Sequence, residues 1–175
     1  MKSDVITIAN NGEGFEEALQ ETRKVAAYEG LNRKETLQLQ LLTEEILSTA
    51  RIISGDMQAS FWIECEGKKA VLHMMTNTIL EKKLRAQLIN ASTSRKNEAA
   101  NSFLGKIRDE LEQAMAADYD MNQLPTEVEM DIVGREIEDT EWDEFECSIL
   151  RKLADVVKVS IRGQKVEMIV SKDFA

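Results

Sequence analysis

Hydrophobic residues at Leu39, Leu42, Ile46, Ala50 and Ile53 recur every three or four positions. That spacing predicts a helix from about Asn32 to Ser54, with one buried stripe. Asn32 followed by Glu35 predicts its start, a capping box in which each side chain accepts the other residue's backbone N–H. At about 100° per residue, Leu41, Glu45, Thr49 and Ile52 form a second row beside the stripe, and Glu44 points to solvent. The second row sets Glu45 and Thr49 one turn apart inside a broad apolar arc. A carboxylate there needs a partner or a route to water. Glu45 is therefore either a paired carboxylate or one that snorkels from the edge of the core.

The rest of the pattern predicts the other elements. Asp4–Ala9 alternates Val5, Ile6 and Ile8 with polar residues and reads as a strand. Asn10–Gly14 is a turn. Phe15–Tyr28 is an amphipathic helix, with Phe15, Leu19 and Ala26 or Ala27 inward and Gly30 just past its end. Ala59–Cys65 and Lys69–Thr76 are strands flanking a hairpin turn at Glu66-Gly67. From Ile79 to Ala117 the period is helical, broken once at Ala91–Ser94, whose hydroxyls would cap a second helix. Asp118–Pro125 is a loop. Glu127–Val133 alternates Val128, Met130 and Ile132 with acids, as a short strand or an exposed acidic loop. Thr140 with Asp143 starts another helix, in which Trp142, Phe145, Ile149 and Leu153 face inward. Val157–Ile161, a turn at Arg162–Gln164 and Lys165–Val170 make a closing hairpin.

The order is thus β-α-α-β-β, a helical insertion at about 79–125, then α-β-β, in one domain of 175 residues. The layer rules make this an α+β two-layer sandwich: a mixed, mostly antiparallel sheet with helices on one face. No strand–GxGxxG–helix or Walker A segment is present, which excludes a doubly wound nucleotide-binding fold.

Composition adds boundaries. At 43% hydrophobic and 31% charged, the chain has an ordinary globular balance. No apolar run reaches membrane-spanning length and Met1–Asn11 carries no signal-peptide core, so the cytoplasm is the expected location. Cys65 and Cys147 lie far apart without CxxC spacing, as reduced thiols do. His73, the one histidine, falls in a strand, packed or half-exposed, and no metal site is expected. The net charge of −10 argues against non-specific nucleic-acid binding. Glu127–Glu146 holds ten acids and one base, whereas Leu80–Glu110 holds seven bases and four acids. Such polarity suits a steered protein interface or a symmetric dimer. No Ser/His/Asp or Cys/His arrangement points to a further enzyme class.

Two stretches carry a resemblance. Tyr28-Glu29-Gly30-Leu31-Asn32 leads into Leu41-Leu42-Thr43-Glu44-Glu45-Ile46-Leu47-Ser48-Thr49, and Ile149-Leu150-Arg151-Lys152-Leu153-Ala154-Asp155 leads into a hairpin turning at Arg162-Gly163. In order and spacing these resemble the histidine-kinase-like ATPase (GHKL) superfamily, and most of all its anti-sigma-factor serine kinases, over residues 4–76 and 141–172. The resemblance implies a Bergerat-like fold, an ATP cleft with Mg²⁺, and Glu45 as the catalytic base. Thr49 stands where the family has the asparagine that holds magnesium. Thr76 stands where it has the aspartate that reads adenine. The glycines that should follow are replaced by Asn77, Thr78 and neighbours. The glycines that cradle phosphates align with Glu144 and Glu146, whose charges would repel a triphosphate by about 1–4 kcal/mol each.

The expectation is a pseudo-ATPase: a cytoplasmic regulator that binds a protein, of sigma-factor or another regulatory type, or a second copy of itself. The alternatives are a diverged ATP-dependent serine/threonine kinase using Glu45, with Thr49 and Asn77 near the metal and Ser92–Lys96 as lid, and a small-molecule sensor whose cleft is lined by Met74, Met75, Ile79 and the Trp62 region.

Overall fold

The computed structural model describes residues 1–100 and 144–175, with side chains for 1–100 and 149–175. Its elements are β1 (Ile6–Ile8), α1 (Phe15–Tyr28), α2 (Arg33–Ser54), β2 (Ala59–Glu66), β3 (Lys69–Asn77), α3 (Lys82–Ala91), a 3-10 turn (Glu98–Ala100), α4 (Glu144–Leu153), β4 (Val156–Arg162) and β5 (Lys165–Asp173). The expected second helix of the insertion, the loop at 118–125, the segment 127–133 and the helix start at Thr140 lie outside the described residues. So does Trp142.

The five strands form one sheet in the order β1-β2-β3-β5-β4. Every neighbouring pair is antiparallel, so among the described strands the sheet is not mixed. Two-residue turns join β2 to β3 and β4 to β5, and such short links permit only antiparallel pairing. The first turn is Gly67-Lys68, since Glu66 pairs with Lys69; the turn is one residue later than the sequence pattern predicts.

Burial alternates along the strands. Phe61, Ile63, Leu72, Met74, Val159, Ile161, Val166, Met168 and Val170 are buried against Leu39, Leu42, Ile46, Leu47 and Ala50 of α2 and Ala18, Val25 and Ala26 of α1. Helices cover one face of the sheet, which completes the two-layer α+β sandwich. The inward face of α1 is centred on Ala18, Thr22, Val25 and Ala26. Phe15 and Leu19 are only half-buried there and Ala27 is exposed.

On α2 the predicted stripe is buried in full, but the second row is not the rest of the core. Leu41 and Ile52 are exposed, and the buried arc widens the other way, to Thr43 and Leu47. The reason is α1. Its Thr22 hydroxyl lies 3.0 Å from the Thr43 hydroxyl, with both side chains fully buried, so α1 packs on that flank of α2.

The corner between α1 and α2 is tightly specified. Leu31 N–H donates to Ala26 O and Gly30 N–H to Ala27 O, the bonding pattern of a Schellman end. One residue on, Asn32 opens the capping box: Glu35 N–H donates to Asn32 Oδ1 (3.0 Å) and Asn32 N–H to Glu35 Oε2 (2.7 Å). Two carboxylates fasten this corner to the β2–β3 turn. Gly67 N–H donates to Glu29 Oε2 (2.8 Å), and Lys68 Nζ pairs with Glu35 Oε2 (2.6 Å). At the other end of α1, Gly14 has φ 86°, and a Cβ there would lie 2.1 Å from Thr7 O. Only glycine allows the β1–α1 turn to close that tightly.

The helical period from Ile79 begins late and stops early. Ile79 is exposed, α3 spans Lys82–Ala91, and Ser92–Asn97 is a loop that runs along β4 before the 3-10 turn. The hydroxyls at 92–94 do not cap a helix within the described residues, because Thr93 bonds to β4 instead.

Candidate functional site

The residues that the resemblance assigns to a nucleotide fall into three groups. Glu45 is half-buried on α2, at the edge of the core. Thr49, one turn on, is 4% exposed, and its hydroxyl donates to Glu45 O at 2.9 Å. A threonine inside a helix commonly spends its proton this way. It then has only lone pairs to offer a ligand.

Thr76, Asn77 and Thr78 follow one another at the end of β3. Thr76 is buried on the helix-covered face, and its hydroxyl donates to Gln58 O at 3.0 Å. Asn77 is exposed and pairs with Lys165 in the ladder. Thr78 N–H donates to Gln164 O at 2.7 Å, extending that ladder by one bond. Strand alternation turns Thr76 and Asn77 to opposite faces, so the three do not converge on one point. Glu144 and Glu146 lie in the first turns of α4.

The residues expected to line a small-molecule cleft are also divided. Met74 is fully buried under the helices. Trp62 and Met75 belong to the other face by alternation, and Ile79 stands in solvent. They do not form one cleft.

That other face holds a constellation which the sequence pattern alone does not reveal. Trp62 and His73 are cross-strand partners, and their rings stack with centroids 4.7 Å apart and planes 4° from parallel. Lys2 Nζ lies 5.8 Å from the indole centroid and 2.7 Å from Glu64 Oε1. The Lys2 hydrogen bond holds the Glu64 carboxyl below the usual carboxylate range. Both ring nitrogens of His73 are shut off from solvent without a hydrogen-bond partner, and Trp62 Nε1, equally buried, has only the Glu64 carboxylate to turn to. Burial pushes the imidazole below its ordinary pKa, while Glu64 and Glu167 pull it back up and Lys2 adds to the depression. His73 is thus a neutral, stacked ring near neutral pH rather than a cation.

Cys65, the buried thiol of β2, lies on the opposite face from His73, so the two cannot make a thiolate–imidazole pair. Burial also raises the Cys65 pKa, against the thiolate. Among the described residues no cluster of His, Cys, Asp and Glu could hold a metal ion, and no helix is long and apolar enough to cross a membrane.

Among known proteins, no family model and no curated protein matches this chain.

Proposed function

We propose that this chain is a regulatory protein built on a histidine-kinase-like ATPase scaffold, and that it acts in the cytoplasm by binding another protein rather than by transferring phosphate. What supports the scaffold is the order of elements, β-α-α-β-β before the insertion and α-β-β after it, with the capping-box helix presenting Glu45 at its edge.

One observation carries the second half. Thr49 and Thr76, which replace the magnesium-holding and adenine-reading residues of the resemblance, both commit their only proton to backbone carbonyls. Buried and so bonded, each hydroxyl is a neutral, weaker acceptor than the amide and carboxylate oxygens it replaces, so these residues fit a Mg²⁺–nucleotide poorly. Glu45 remains, and its retention favours the diverged kinase as the second reading.

Calorimetric titration with ATP and ADP, with and without Mg²⁺, separates the two. The binding-protein reading expects no heat at millimolar nucleotide and no rise in melting temperature, since only a ligand of the native state stabilises it. Micromolar, Mg²⁺-dependent binding would overturn the binding-protein reading, and ATP turnover that Glu45→Ala abolishes would support the diverged kinase instead. The partner is sought by cross-linking in cell extract. A regulator of sigma-factor type is the first to test.

A further inference from the structure

Among the described residues the outer edge of the sheet, at β4, is closed by side chains and not by a strand. Thr93 N–H donates to Val157 O (2.8 Å), and Val157 N–H donates back to Thr93 Oγ1 (2.7 Å). Four residues on, Asn97 repeats the device with its amide alone. Its Nδ2 donates to Ile161 O, and its Oδ1 accepts from Ile161 N–H, both at 2.8 Å. The backbone of Asn97 lies beside Val159 as a parallel bridge. Thr93–Asn97 is therefore a strap that imitates a sixth strand.

Its hold is slight. Thr93–Lys96 are exposed, and Asn97, the one buried residue of the strap, is polar. Arg95 at its centre has φ 53°, the one positive φ outside glycine among the described residues, and a side chain is disfavoured there. Few buried apolar groups and strained backbone mark a segment that opens locally before the rest. Beneath it lies Val156-Val157-Lys158-Val159-Ser160-Ile161, a run rich in β-branched residues. An edge of that kind, once bare, recruits another strand.

We propose that the outer edge of β4 is a strand-addition site which the Thr93–Asn97 strap holds shut, and that its occupant is β4 of a second copy of this chain. Two identical edges pair antiparallel about a two-fold axis, each presenting the same patch to the other. A register centred on Val159 sets Val157 against Ile161 and Lys158 against Ser160. The residues facing the helices, Val157, Val159 and Ile161, then continue one apolar face across both copies. The exposed bases Lys158 and Arg162 oppose Ser160 and Val156, so no two bases meet. This inference does not rest on the nucleotide reading.

The test is light scattering after size exclusion over a concentration series, together with amide hydrogen exchange. The double variant Thr93→Val, Asn97→Ala should dimerise at least about tenfold more tightly than the wild-type chain, with the Val157 and Ile161 amides protected in the dimer. Adding Ser160→Lys sets a base opposite Lys158 twice across the axis and should return it to monomer. A double variant that stays monomeric while those amides exchange freely would overturn the proposal, as would a dimer indifferent to Ser160→Lys. Should the double variant not fold, the wild-type chain still decides: its strap-facing Val157 and Ile161 amides should exchange at least about tenfold faster than Lys158 and Ser160, which face β5, and Arg95→Gly should slow them. Equal rates at the four amides would sink it.

Discussion

The two faces of the sheet are built from the same strands and obey different rules. On the helix-covered face, Phe61, Leu72 and Met168 are sealed into the core, and shape and volume decide what is tolerated. On the other face the neighbouring positions, Trp62, His73 and Ile169, are half-buried, and both ring nitrogens of His73 lack partners. The lesson is that the first face is governed by apolar packing, and the second holds polar groups whose burial works against stability. An unsatisfied buried donor costs free energy that a simple apolar pair would not.

The sharpest way to break that comparison is truncation of adjacent residues on one strand. Phe61→Ala should cost about 3–5 kcal/mol in urea unfolding. Trp62→Ala, one residue along, should cost about half as much despite the larger ring, because its site is only half desolvated. Equal costs would mean that both faces are core.

Polar contacts within the helical layer come next. Thr43→Val removes the hydroxyl that meets Thr22 and should cost about 1 kcal/mol. Asn32→Ala, at the surface, should cost a similar ~1 kcal/mol by opening the capping box. Helix content by circular dichroism would show whether only the Asn32 change frays α2.

The smallest effect belongs to His73 and depends on pH. Its folded-state pKa is lowered, so between that value and the unfolded value near 6.5 the unfolded chain binds more protons. The stability His73 confers is fully present above about pH 6.5 and is lost as pH falls through that window. His73→Gln should flatten this slope. If the slope persists in the variant, the stack is not its source.

Much of the fold was legible because its signals are local. Asn32 and Glu35 are three residues apart, and the Leu39–Ile53 stripe follows from helical geometry. What stayed hidden depends on register or on distant pairing. Placing the hairpin turn at Glu66-Gly67 rather than Gly67-Lys68 would set Trp62 against Val71, and a one-residue slip is enough to conceal the Trp62–His73 stack. The signal was present in the glycine, whose φ of 57° suits the first central position of the turn. Leu41 and Ile52 were misplaced because apolar residues are also common on surfaces, and only the packing of α1 tells which flank of α2 is covered. The strap could not be read at all, since Asn97 meets Ile161 across 64 positions of chain. Of the candidate site, the positions of Glu45 and Thr49 on one helix were legible, while the bonding of Thr49 and Thr76 to the backbone was not.

The corner between α1 and α2 has a consequence for how a signal could travel. Glu35 Oε2 accepts both the first N–H of the helix cap and the ammonium of Lys68 at the hairpin tip. One oxygen thus reads two distant events. Removing the Lys68 ammonium, as in Lys68→Met, would leave the Glu35 carboxylate to the helix cap alone. The tip of the hairpin and the first turn of α2 thus share one carboxylate oxygen, although they lie 33 positions apart in the chain.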